Sequence, residues 1–196
     1  MVFLYIPNIV GYFRVLLIIL FYVFFSKNNL ISLIFYLISF ILDVFDGYLA
    51  RYMNQCSSFG AVLDMITDRI STLILCILNF EKEDGFLKNL ILIWIVFDIS
   101  SHWMQTLSAA NEKISHKNIS TKFKILKFYY SSKIFMGSIN IGNEIFLLMN
   151  LFIKGNPSIL VKFIYVLSFF LFCGKGIVNV LQFISNVIYF GNLKQK

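Results

Sequence analysis

The chain has 196 residues, 59% of them hydrophobic and only 14% charged, and its mean hydropathy is +0.79. A water-soluble domain of this size needs far more polar residues to cover its surface, so the composition excludes one and points to an all-α integral membrane protein, a single membrane domain over residues 1–196. Seventeen Lys and Arg against ten Asp and Glu leave a net charge of +7, which in so apolar a chain serves orientation and anionic head groups and not a nucleic-acid partner.

In chain order, Met1 to Ile6 is apolar and is followed by Pro7 and Asn8, a helix-start pair, so the chain begins with a short interfacial segment. Six apolar runs follow, close to the roughly 20 residues that cross a bilayer. Their limits are 8–25, 29–50, 59–80, 87–108, 131–153 and 158–190. No basic residue precedes the first run and Arg14 lies inside it, a pattern that speaks against a cleaved secretory signal. The last run exceeds one crossing and contains Gly174, Lys175 and Gly176, so it is expected to tilt, kink or continue along the interface. Cys56, Cys76 and Cys173 lack CxxC spacing, which excludes a zinc site or disulfide scaffold of that type.

Loops on one side carry Arg51, Lys113, Lys117, Lys122, Lys124, Lys127, Lys194 and Lys196, with Lys133 close by. The other side carries Lys27, Lys82, Lys88 and Lys154, partly balanced by Glu81, Glu83 and Asp84. The basic excess predicts that both termini and the 51–58 loop face the cytosol.

Six of the ten acids, Asp43, Asp46, Asp64, Asp68, Asp98 and Glu144, lie within or at the ends of apolar runs, where charge is costly. Four of them fall in the stretch DVFDGYLARYMNQCSSFGAVLDMITDR, residues 43–69. Asp43 and Asp46 are three apart at the end of the second run, and Asp64 and Asp68 four apart at the start of the third, so each pair shares one helical face. A short loop makes the two helices antiparallel neighbours and lets the pairs face each other. Four gathered carboxylates repel one another unless a counter-charge is present, and two divalent cations supply about four positive charges. Oxygen-only donors favour Mg²⁺ or Mn²⁺. The constellation therefore predicts a two-metal phosphoryl-type transfer site at the cytosolic ends of the second and third spans. Gly47, Ala50 and Gly60 lie on or beside the acidic faces, where small side chains serve either helix packing or close approach of a ligand. Arg51, one turn beyond Gly47, suits a phosphate oxygen.

At these residues the sequence resembles the CDP-alcohol phosphatidyltransferases, whose signature is D-x2-D-G-x2-A-R-x8-G-x3-D-x3-D. All eight fixed positions are present, as Asp43, Asp46, Gly47, Ala50, Arg51, Gly60, Asp64 and Asp68. PNIVGYFR near the start, DISSHW at 98–103, SHK at 115–117, FYYSSK at 128–133 and GNE at 142–144 are similar to the eukaryotic phosphatidylinositol synthase branch of that family. The resemblance implies condensation of CDP-diacylglycerol with myo-inositol to give phosphatidylinositol and CMP, in a six-span homodimer of the endoplasmic reticulum membrane. It also implies that Asp43 and Asp64 touch both metals, that Asp46 holds the first, and that Asp68 completes the second and accepts the proton. Gly47, Arg51 and Ser57 would contact the CDP-diacylglycerol head group. Ser57 stands where animal members carry Thr, and Lys133 where they carry Arg, which weakens a fixed bidentate contact at 133.

Asp98 and His102, four apart on the fourth run, and Asn143 and Glu144 on the fifth admit two roles, shaping an acceptor pocket or joining helices. With Lys133 they form the candidate acceptor set: Asp98, His102, Lys133 and Glu144. His116 and Lys117 read as part of a solvated loop near anionic lipid. Tyr129, Tyr130, Trp94 and Trp103 read as interface anchors. Two other functions share the acids, a sibling transferase with glycerol phosphate, serine or inositol phosphate as acceptor, and a divalent-cation transporter, which would need acids along a continuous path across the bilayer.

Overall fold

The computed structural model describes residues 1–112 and 123–193, and among these all regular structure is helical. A 3₁₀ turn, Val2–Leu4, precedes α1 (Ile6–Phe25), α2 (Asn29–Tyr52), α3 (Ser58–Lys82), α4 (Gly85–Glu112), α5 (Lys124–Ser131), α6 (Lys133–Phe152) and α7 (Ile159–Asn192). Five of these, α1, α2, α4, α6 and α7, are long and apolar enough to cross a membrane. The chain is thus an all-α multi-pass membrane protein. The helix α3 has the length but carries Asp64, Asp68, Arg69, Glu81 and Lys82, which lower its hydropathy.

Local chemistry sets the boundaries. Asn28 caps α2, its side-chain oxygen accepting from the backbone N–H groups of Leu30 at 3.0 Å and Ile31 at 3.1 Å. Ser132 caps α6 by accepting from Phe135 N–H at 3.2 Å. Gly155, between α6 and α7, has φ +71°, a conformation that side chains with a Cβ rarely adopt. Six long helices follow the six expected runs, and the last is one continuous helix of 34 residues.

The stretch 109–130 differs from the loop expected there. The helix α4 runs on to Glu112, and α5 forms from Lys124 because Leu126 and Tyr129, three apart, bury one face against Ile139 of α6 and Val178 of α7. Lys113, His116, Lys117, Lys122, Lys194 and Lys196 lie outside the described residues.

The helices form two compact units, Met1–Ile74 and Leu75–Lys196. In the first, α1 packs along α2. Leu17, Ile18 and Phe21 are buried, the Phe21 ring meets Tyr36 edge-on with centroids 5.1 Å apart, and Ser32 Oγ donates to the Phe21 carbonyl at 2.9 Å. In the second, α4 and α6 pack on α7 around Phe172, whose ring stacks on Trp94 at 5.6 Å and meets Phe146 at 4.8 Å. Trp94 and Tyr129 are therefore core residues and not interface anchors, being 4% and 3% exposed, whereas Trp103 is exposed. Burial of a large ring among helices outweighs its preference for the head-group zone when a stacking partner is present.

Candidate active site

The polar centre of the first unit is built by α1, α2 and α3. On α2, Asp43 and Asp46 lie one turn apart, and on α3 so do Asp64 and Asp68. Asp43, Asp64 and Asp68 each offer a carboxylate oxygen, all within 4.8 Å of one another. Three hard oxygen donors at this separation fit a divalent cation of the Mg²⁺ or Mn²⁺ type. Asp46 is the most buried of the four and stands outside that trio.

What draws Asp46 in is Arg14 of α1, 3% exposed. Its Nη1 donates to Asp46 Oδ2 at 2.6 Å and to Asp64 Oδ1 at 3.1 Å. Its Nη2 donates to Asp68 Oδ1 at 2.8 Å and pairs with Asp43 Oδ1 at 2.5 Å. One planar fork thus ties four carboxylates from two helices. In the sequence alone, Arg14 inside the first apolar run speaks only against a cleaved secretory signal. The available signal was the spacing of Asn8, Gly11 and Arg14, three residues each, which sets polar or small groups along one side of α1.

Beside this cluster opens a cleft of about 170 Å³. Its walls include Asp46, Gly47, Ala50, Arg51, Gly60 and Asp64, six of the eight signature residues, together with Ser57. Asn8, Gln55 and Cys56 also line it and were not anticipated. The structure separates the roles of two glycines. A Cβ on Gly60 would stand 2.8 Å from Asn8 Oδ1 and 3.2 Å from Ser57 Oγ, so Gly60 lets α1 close on α3. A Cβ on Gly47 would stand 3.6 Å from the Arg51 guanidinium, an ordinary contact, so the missing side chain there leaves cleft space under a cationic group. Ser57 Oγ accepts from Gly60 N–H at 3.0 Å and caps α3. Gln55 Oε1 accepts from Ile6 N–H at 2.9 Å, tying the α2–α3 loop to the first turn of α1.

The other expected site residues lie in the second unit. Asp98 is 3% exposed, its Oδ1 accepting from Asn179 Nδ2 of α7 at 3.0 Å. His102 Nδ1 lies 3.5 Å from Asp98 Oδ1 and 2.8 Å from the Asp98 carbonyl. Among the described residues the buried Asn143 has no hydrogen-bond partner at Oδ1, Glu144 is half-buried, and Lys133 is exposed at the first turn of α6. These residues are spread over two helices, Asp98 and His102 on α4 and Lys133 and Glu144 on α6.

A family model described as CDP-alcohol phosphatidyltransferase matches residues 4–170, and the chain belongs to that family. It is 41% identical over 199 residues to the probable CDP-diacylglycerol–inositol 3-phosphatidyltransferase 2 of Arabidopsis thaliana, covering 92% of this chain and 87% of that relative. It is 37% identical to the CDP-diacylglycerol–inositol 3-phosphatidyltransferase of Homo sapiens, over 74% of this chain and 68% of the relative. The Saccharomyces cerevisiae enzyme of the same name is 35% identical, over 91% and 82% of the two chains. No solved structure matches.

Proposed function

We propose that the chain transfers the phosphatidyl group of CDP-diacylglycerol to myo-inositol, giving phosphatidylinositol and CMP, at the cleft of α1, α2 and α3. The observation that carries this reading is the complete eight-residue signature, gathered around one cleft and one acidic cluster. The names of the plant, human and yeast relatives supply the acceptor.

Arg51 and Gly47 form the part of the cleft that receives the pyrophosphate, a guanidinium over open backbone, with the Ser57 hydroxyl beside them. Asp43, Asp46, Asp64 and Asp68 would hold two Mg²⁺ or Mn²⁺ ions, which when bound supply charge neutralisation at the pyrophosphate and polarise its oxygens. Asp68, with its side chain 37% exposed, takes the proton of the attacking inositol hydroxyl. The hydroxyl oxygen forms a bond to the phosphorus that carries diacylglycerol as the bond from that phosphorus to CMP breaks, and Arg51 holds the charge of the departing phosphate.

In the same reading α3 is the sixth crossing and the α2–α3 loop faces the cytosol, on the side of Lys124, Lys127 and Lys133, while the enzyme works as a homodimer in the endoplasmic reticulum membrane. The test is CMP release by purified protein in lipid with CDP-diacylglycerol, Mg²⁺ or Mn²⁺, and each alcohol in turn. Release with inositol is expected. Release with glycerol phosphate and none with inositol would overturn the acceptor, and ion flux without CMP would overturn the transferase.

A further inference from the structure

We infer that Arg14 is a resident counter-cation of the four-aspartate cluster, competing with divalent ions for the carboxylate oxygens that bind them. The inference rests on the proposed metal role of the cluster. Four carboxylates from α2 and α3 are held by one guanidinium from α1, at 2.5 Å, 2.6 Å, 2.8 Å and 3.1 Å. Three of those carboxylates are the ones whose oxygens lie within 4.8 Å of one another. The fork holds Oδ1 of Asp43, Asp64 and Asp68, one oxygen of each carboxylate in that trio.

Charge and valence both favour competition over a passive scaffold. One guanidinium offsets about one of four negative charges, so the cluster keeps a strong attraction for a further cation. A divalent ion drawn to the same oxygens meets a like charge at close range, from a guanidinium that is 3% exposed, and the partial exposure of Asp64 and Asp68 reduces that repulsion without removing it. A guanidinium N–H holds an oxygen at about 2.8 Å and Mg²⁺ at about 2.1 Å, so an ion entering the cluster takes lone pairs and space that the fork now occupies. The fork is also incompletely satisfied: among the described residues Arg14 Nε is buried and has no hydrogen-bond partner. An arginine serving packing alone is expected to fill its five donors. Arg14 is in these terms a positioning residue that keeps the aspartates together and sets how tightly they bind metal.

The test compares the unsubstituted protein with Arg14→Gln and Arg14→Lys in lipid nanodiscs without substrate. Free Mn²⁺ is followed by its electron paramagnetic resonance signal, and thermal unfolding is followed in EDTA and in saturating Mn²⁺. Arg14→Gln is expected to bind Mn²⁺ about tenfold tighter, while melting at a lower temperature in EDTA and recovering in Mn²⁺. Arg14→Lys, whose single ammonium cannot bridge four carboxylates, is expected to bind with intermediate strength. Unchanged or weaker Mn²⁺ binding by Arg14→Gln overturns the inference. If that variant does not fold, the lysine variant decides alone, tighter binding supporting the inference and equal or weaker binding overturning it. Absence of Mn²⁺ binding by all three proteins overturns the metal reading as well, so the two failures are distinguishable.

Discussion

Both units bury polar side chains in membrane helices, but the first gathers four carboxylates around one guanidinium, whereas the second relies mainly on amides, with Asp98 and Lys175 as its buried charges. In the first, four carboxylates share one guanidinium, and two of them, Asp64 and Asp68, keep side chains 50% and 37% exposed. In the second, Asn186 Nδ2 donates to Gln105 Oε1 at 2.8 Å, Ser108 Oγ donates to Asn186 Oδ1 at 2.7 Å, and Asn150 Nδ2 donates to Asn79 Oδ1 at 2.7 Å. Every one of those five side chains is buried and the groups are neutral. Paired amides hold helices together and ask for nothing further, whereas an excess of negative charge facing a cleft asks for a cation and an anionic ligand behind it. Asp98 belongs by its surroundings to the second pattern although it carries a charge.

Substitutions can break or sharpen this contrast. The largest effect is expected for Asp68→Asn, which should lower CMP release by about 10²–10⁴-fold, the range of a lost general base, while CDP-diacylglycerol binding stays measurable. Near-normal turnover would remove Asp68 as proton acceptor. Next comes Gly60→Ala, whose added Cβ meets Asn8 Oδ1 at 2.8 Å and should cost about 1–3 kcal/mol in thermal unfolding, whereas Gly47→Ala should leave stability unchanged and raise KM for CDP-diacylglycerol. Equal melting losses in the two variants would return both glycines to packing. Asn186→Leu strips partners from Gln105 and Ser108 and should cost about 1 kcal/mol of stability without changing kcat. Smallest is Asp98→Asn. The amide oxygen still accepts from Asn179, so KM for inositol is expected to stay within about twofold. A tenfold rise would place Asp98 in the acceptor pocket.

The contrast also explains what was legible in the sequence. Apolar runs and their polar boundaries are local, so the six long helices could be read from residues 8–190, and the spacing of Asp43 with Asp46 and Asp64 with Asp68 is likewise a property of one helix at a time. Arg14 could not be weighed in this way, because its partners lie 29 to 54 residues away and only packing brings them together. Helix α5 is not legible in the sequence, because eight residues with two inward side chains give too short a pattern until Ile139 and Val178 supply the surface they cover. Gly47 and Gly60 look alike in sequence and differ only in what faces them.

One helix has a consequence for how the protein sits in lipid. At 1.5 Å per residue the 34 residues of α7 extend about 51 Å, against a hydrocarbon layer of about 30 Å. A tilt of about 40°, the upper end for membrane helices, still leaves a span of about 39 Å. Roughly two turns of α7 must therefore stand among the head groups, and a thicker bilayer would draw them in. Bilayer thickness is thus a physical variable that reaches Lys175 and Asn179, which sit on the buried side of that same rod.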